Sequence, residues 1–307
     1  MSKLIVGCGY LGRRMAARWV EEGHEAFATT RSPERAEEWK KGTGLICRNG
    51  PKGASHKAPS PFSPVVADVT RPETLSALPK AETVLYAVGF DRTSGASRHQ
   101  VYAEGLRAVL DALDPAVTRR IIFISSTGVY GDPGGQWVDE DSPCRPESDG
   151  GRAFLAGEQI LARHPLGERS ITLRMAGIYG PGRVPKAEEL RAGKPVAVAA
   201  GGSVNLIHVD DAAAAVVAAE ARAEPPRLFL VSDGHPVERR EFYTHLAEVL
   251  GCAQPRFVEP PPEQRKIGRG GGDKRVRNRR MLEELGVRLA YPTYREGLAG
   301  IYGGAEG

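Results

Sequence analysis

Two stretches of the 307-residue chain carry residue types at spacings suited to chemistry. The first is Gly7-Cys8-Gly9-Tyr10-Leu11-Gly12, a G-x-G-x-x-G that directly follows the apolar run Leu4-Ile5-Val6. Gly7 permits a tight turn, Gly9 lets main chain approach a pyrophosphate, and Gly12 allows a helix to pack closely on a strand. The helix start then offers N–H groups and a partial positive charge to phosphates. That combination binds a dinucleotide, with Gly7, Gly9, Tyr10, Leu11 and Gly12 at its phosphates. The second stretch is Ser125-Ser126-Thr127-Gly128-Val129-Tyr130-Gly131, a hydroxyl cluster at the end of an apolar run.

The kind of dinucleotide is read further along. An acidic residue about twenty positions past the glycines would take the ribose 2′-hydroxyl of NAD. Thr29-Thr30-Arg31-Ser32 stands there instead. Arg31 suits a 2′-phosphate, with Thr30 and Ser32 as donors and Arg13 and Arg14 nearby. The preferred cofactor is therefore NADP, with NAD second.

These residues need elements to hold them. Leu11, Met15 and Trp19 recur every fourth position, so a helix begins inside the glycine run. Ala26-Phe27-Ala28 is a second strand, which completes a strand–turn–helix–strand unit. Pro64 to Ala67 reads as a third strand, ending in Asp68-Val69, where Asp68 can accept from an adenine amino group or cap the next turn. Thr83 to Gly89 is a buried parallel strand whose small end, Ala87-Val88-Gly89, lies along the cofactor. A helix from His99 to Leu113 turns Leu106, Val109, Leu110 and Leu113 to the core. Arg119 to Ile124 is the strand that delivers Ser126 and Thr127 to a carboxyl edge, where open parallel sheets bind ligands. The fold class is α/β, a doubly wound parallel Rossmann-type sheet with a smaller C-terminal substrate lobe. Residues 1–175 form the dinucleotide-binding core, with a mobile insertion at about 42–64. Residues 176–307 complete the core and form the lobe. Phe242, Leu246, Val249 and Leu250 mark an amphipathic helix ending at Gly251. Pro255 to Gly272 reads as an exposed connection.

The net charge of +4 is slight and its residues are interspersed, which gives no case for a nucleic-acid protein. The four cysteines, Cys8, Cys47, Cys144 and Cys252, form no C-x-x-C pair, which predicts reduced thiols and neither disulfides nor zinc. No His, Cys, Asp and Glu set has metal-ligand spacing. No apolar run approaches ~20 residues and none reads as a leader, so a cytoplasmic protein with no membrane partner is expected. The expected partner is a small molecule, and the expected state a monomer or homodimer.

Several stretches together resemble the extended short-chain dehydrogenase/reductases, the epimerase/dehydratase-like branch. They are Gly7 to Gly12, Asp68-Val69, Ser125 to Gly131, Arg174 to Gly182 and Asn205 to Asp211. The tail, Lys274 to Arg280 with Tyr291 to Leu298, is similar to an atypical subgroup of that family. The resemblance implies an oxidoreductase or epimerase acting on a small hydroxylated or sugar-like substrate, and puts Tyr179 to Gly182 near the nicotinamide.

One departure matters most. The family's catalytic pair is a Tyr with a Lys four residues later, opening a helix that ends in a Glu. With Glu158 as that glutamate, the pair falls on Gly150 and Phe154, which cannot move a proton. Tyr102 stands where the family keeps an Asn. Only a Ser survives, as Ser126, with Thr127 beside it, and both are the candidate catalytic residues. Tyr130, Asp132, Tyr179, Arg152 and His208 are the other titratable candidates, though Tyr130 and Tyr179 fall where the family's residues are structural. Arg152, Arg183 and Asn205 are candidate substrate-binding residues, and Lys274, Arg275 or Asn278 could hold an anionic group. Asp210 and Asp211 are expected to cap the Ala-rich helix they open, and His208 to make a buried hydrogen bond. The alternative reading is a non-catalytic NADP sensor or scaffold that has lost the Tyr and Lys.

Overall fold

A computed structural model of the chain describes residues 1–41, 62–259 and 272–303. Most of the expected insertion, 42–61, lies outside them, as does much of the expected connection, 260–271. Seven strands make the central sheet: β1 (Ser2–Val6), β2 (Glu25–Thr30), β3 (Ser63–Val66), β4 (Thr83–Tyr86), β5 (Arg120–Ser126), β6 (Ser170–Met175) and β7 (Arg227–Val231). Their order is β7-β6-β5-β4-β1-β2-β3. β1 pairs in parallel with both β2 and β4, and β4 with β5. The order reverses between β1 and β4, so the crevice at their carboxyl ends is the switch point where doubly wound sheets bind ligands. The expected α/β class is the observed one.

Residues cluster into two units, which strands of this sheet cross: Met1–Ile124 with Ala156–Thr172 and Glu224–Arg227, and Ser125–Leu155 with Leu173–Ala223 and Leu228–Gly307. In the first, helix α1 (Tyr10–Glu21) buries the expected face, Leu11, Met15 and Trp19, and α2 (Pro33–Lys40) starts on a Ser32 cap. Ser63 opens β3, one residue earlier than expected, and buried Phe62 packs edge-on against Trp39 at 5.4 Å between ring centroids. The expected helix at 99–113 is observed in two parts, a π-helical turn at Gln100–Glu104 and α3 (Gly105–Ala112). Leu106, Val109, Leu110 and Leu113 are buried as expected.

The second unit holds the first half of α4 (Asp149–Arg163), then α5 (Ala187–Arg191), α6 (Val209–Arg222), α7 (Arg239–Val249), α8 (Arg279–Leu285) and α9 (Tyr294–Tyr302). Short strand pairs knit it together: Gly177–Tyr179 with Leu206–His208, Val196–Ala197 with Phe257–Val258, and Trp137–Val138 with Arg275–Val276. One expectation is corrected here, since part of the Pro-rich connection is strand. The basic run 274–280 passes through a strand before a helix begins at Arg279. Tyr179, Leu206, Phe242, Leu246, Tyr294 and Leu298 pack as one apolar cluster.

Candidate functional site

The glycine turn is built by backbone contact. Gly7 has φ +94°, and a Cβ there would stand 2.5 Å from the Val88 Cα. A Cβ on Gly12 would meet the Gly7 carbonyl oxygen at 2.6 Å. No larger residue fits either place without moving main chain. Gly9 differs, because it is exposed, with φ −87°, and a Cβ there would meet nothing among the described residues within 4 Å. Its glycine serves no internal packing, so the space it leaves suits an outside group that approaches the backbone. The cradle fits a pyrophosphate, and the first turn of α1, with Tyr10 and Leu11, would hold it. Thr29, at the end of β2, fastens the turn by accepting from the Gly7 N–H through Oγ1 at 3.0 Å and from the Cys8 N–H through its carbonyl at 3.4 Å.

Around this turn the predicted residues are close at hand. The Ala87 N–H donates to the Val6 carbonyl at 2.8 Å, which sets Ala87, Val88 and exposed Gly89 beside the glycines. Asp68 accepts from the Thr70 N–H at 2.9 Å and its hydroxyl at 2.8 Å, a local turn; the short helix at Pro72–Ala77 has no side-chain cap. Buried Val69 would crowd a Cβ on Gly105. The three residues expected at a 2′-phosphate are already engaged. Arg31 Nη2 donates to Asp91 Oδ2 at 2.6 Å, Ser32 Oγ to Glu34 at 2.7 Å, and Thr30 Oγ1 accepts from the Ser32 N–H at 3.3 Å. Arg14 folds back on the Tyr10 carbonyl and ring.

At the carboxyl end of β5, half-buried Ser126 caps the next turn by accepting from the Gly128 N–H at 3.1 Å, and Thr127 is buried beside it. A Cβ on Gly151, next to the place of the missing Tyr, would clash with the Gly128 carbonyl and Pro146. Phe154, where a Lys is expected, packs against the apolar cluster of Val129, Tyr130, Val138, Leu230 and Val276. Arg152 bonds the Glu147 carbonyl and Asp149, both at 2.6 Å.

The remaining tyrosine candidates are locked. Tyr130 donates to the Asp139 carbonyl at 2.7 Å and accepts from buried Arg174 at 2.6 Å, and burial holds its phenol far above its usual range. Tyr179 is fully buried, donates to the Thr293 carbonyl at 3.4 Å and lies edge-on to His208, with its acidity likewise suppressed by burial. His208 makes the expected buried bond, accepting from the Asp210 N–H at 3.3 Å, and packs against Tyr291 at 3.8 Å between ring centroids, the rings tilted by 40°. It is the cap of α6, which corrects the capping role expected for Asp210 and Asp211. Asp211 instead accepts from the Ala290 and Tyr291 N–H groups at 2.8 and 3.0 Å. Asn205 is also a clasp: it donates to the Lys274 carbonyl at 2.9 Å and accepts from the Val276 N–H at 2.8 Å, so its amide is occupied at both ends. Asn278 donates to the Ser232 carbonyl, and Lys274 to the Gly131 carbonyl. Half-buried Arg183 closes the turn after Tyr179 with its N–H on the Gly180 carbonyl at 2.9 Å.

Thr29 and Asp91 escaped the sequence reading. Thr29 lay inside the quoted strand end, but its contact crosses strands, and nothing near Asp91 in sequence points to Arg31. Among the described residues no group of His, Cys, Asp and Glu could hold a metal, and no helix is long and apolar enough to cross a membrane. Among the described residues Cys8, Cys144 and Cys252 form no disulfide.

Residues 4–231 match the family model described as the NAD dependent epimerase/dehydratase family. Protein YeeZ of Escherichia coli (strain K12) is 35% identical over 191 residues, 61% of this chain and 65% of that protein. The chain thus spans just under two thirds of that relative's length. A 3-diazoavenalumate denitrifying reductase from a Streptomyces species is 29% identical over 217 residues, 64% of this chain and 69% of the reductase. A Methylobacillus flagellatus structure, provisionally described as an NAD-dependent epimerase/dehydratase, is 32% identical with a TM-score of 0.72, over 98% of this chain and 97% of the other.

Proposed function

Since the chain belongs to the NAD-dependent epimerase/dehydratase family, we propose that it is an NAD(P)-dependent oxidoreductase or epimerase acting on a small hydroxylated or sugar-like substrate. The observation that carries this reading is the glycine turn. Positions 7 and 12 are closed by main chain, while position 9 opens outward onto space that packing does not require. NADP(H) is the preferred form, with Arg31 as the partner of the 2′-phosphate. In this reading residues 1–175 hold the dinucleotide and 176–307 supply the substrate lobe. A bound nicotinamide supplies or accepts hydride. Ser126 donates a hydrogen bond to the substrate oxygen: one lone pair of its hydroxyl takes the Gly128 N–H, and that contact leaves the O–H to donate. Thr127 supports it, and Arg152 and Arg183 offer charge to an anionic substrate group.

The missing Tyr and Lys restrict the chemistry. Tyr130 and Tyr179 are buried, bonded to main chain and held in the neutral form, so neither is a proton relay near pH 7. The favoured substrates are those whose product needs no proton from a tyrosine, because water or the substrate supplies it or because a group leaves. A relative named as a denitrifying reductase of a diazo compound fits that class, and its being a reductase counts against a purely non-catalytic sensor. The test is single-turnover oxidation of NADPH with two acceptor panels, simple carbonyls and electron-poor acceptors that lose a leaving group. The second panel turns over, and Ser126→Ala slows it about tenfold or more. Turnover undiminished in Ser126→Ala contradicts the proposed site.

A further inference from the structure

The carboxylate that an NAD-binding Rossmann fold keeps at the end of β2 is absent there in this chain, yet another carboxylate, that of Asp91, contacts the arginine that follows β2. Arg31 follows β2 and Asp91 follows β4, and the strand between them, β1, carries the glycine turn. Their contact, across 60 residues of sequence, joins the two flanks of that turn at 2.6 Å. The Asp91 carboxylate is held in this posture from behind. Its Oδ1 accepts from the Thr93 N–H at 2.9 Å and the Thr93 hydroxyl at 2.7 Å, while Oδ2 faces Arg31. Thr93 and then Arg31 keep it ionised, with its pKa lowered to about 2. Glu34 occupies the Ser32 hydroxyl in the same way.

We infer that Asp91 is a specificity-determining residue for the adenosine ribose: it offers an acceptor to a 2′-hydroxyl and competes with a 2′-phosphate for Arg31. A 2′-phosphate must draw the guanidinium away from a fixed carboxylate and then lie near that negative charge. A 2′-hydroxyl faces neither cost and gains an acceptor. Asp91 therefore restrains the NADP preference that Arg31 creates, and the wild-type protein discriminates weakly between the two dinucleotides. The inference rests on the dinucleotide reading above and deepens it.

The test is a fluorescence titration of the full chain with NADPH and NADH, with 2′,5′-ADP and 5′-ADP as competitors. Asp91→Asn removes the charge but keeps the Oδ1 acceptor for Thr93. It tightens NADPH and 2′,5′-ADP by about tenfold and leaves NADH unchanged or weaker, since an exposed pair and one like-charge contact are lifted. In an Arg31→Ala background most of that gain disappears, because the guanidinium set free is what receives the phosphate. If both dinucleotides bind but Asp91→Asn leaves their ratio unchanged, the inference is wrong and the dinucleotide reading stands. If no probe binds either protein, both are wrong.

Discussion

The glycine turn and the second unit use polar groups in opposite ways. At the turn, close packing is main chain against main chain, and the one unconstrained glycine, Gly9, faces outward. In the second unit the conspicuous polar side chains are spent on one another and on the backbone: Tyr130 on Arg174 and Asp139, Asn205 on 274–276, Asp211 on 290–291. A site kept for a ligand leaves room, whereas a polar network that fastens a lobe leaves none. Residue type alone does not separate the two, but geometry does.

The comparison is broken most forcefully at Gly7. Gly7→Ala adds a Cβ at φ +94° against Val88 main chain. Strain and overpacking together should cost about 4 kcal/mol or more. Thermal melts should show a chain folded poorly or not at all, with no saturable NADPH binding.

Asp233 is the exception in the second unit. It is buried, its Oδ1 accepts from the His235 N–H at 2.9 Å, and its Oδ2 has no hydrogen-bond partner among the described residues. Burial raises its pKa to about 7, with Asp211 and Glu296 adding to the shift. A carboxyl raised in the fold binds its proton more tightly there than when unfolded, so stability should fall as pH climbs from about 4 to about 7 and level off above. Asp233→Asn should abolish that slope. At pH 8 the variant should be more stable by roughly 2–4 kcal/mol, and the difference should close below pH 4, as measured by urea melts across pH.

Tyr130→Phe separates fastening from catalysis. It leaves buried Arg174 short of an acceptor and should cost about 1–3 kcal/mol in denaturant melts. The pH profile of turnover should keep its shape, because the phenol moves no proton.

Much of this was legible in sequence, for a local reason. The glycine turn, the α1 face and the central strands themselves are set by contiguous residues. The lobe's clasps are not. Asn205 reads as a ligand until its partners, 69 and 71 residues later, are known. Asp211 reads as a helix cap, yet its acceptors are spent 79 and 80 residues away. Phe154 reads only as a lost lysine, whereas in the fold it serves an apolar cluster. Asp91 belongs to the same class, its role written in the adjacency of β2, β1 and β4.

The smallest expected effect is at Arg152. Its ion pair with Asp149 is more than half exposed on both sides, so Arg152→Ala should move stability by no more than ~0.5 kcal/mol and leave NADPH binding intact.

The central claim is that the space above Gly9 is kept for a dinucleotide, and Gly9→Ala tests it most directly. Titrate wild type and variant with NADPH and NADH, following nicotinamide fluorescence and melting temperature together. At about 100 times Kd the wild type should gain roughly 2.7 kcal/mol. The variant, with none of the described residues within 4 Å of its new Cβ, should melt within about 1 kcal/mol of wild type and lose about tenfold or more in affinity. Undiminished affinity in Gly9→Ala, or no binding by the wild type, would contradict the account.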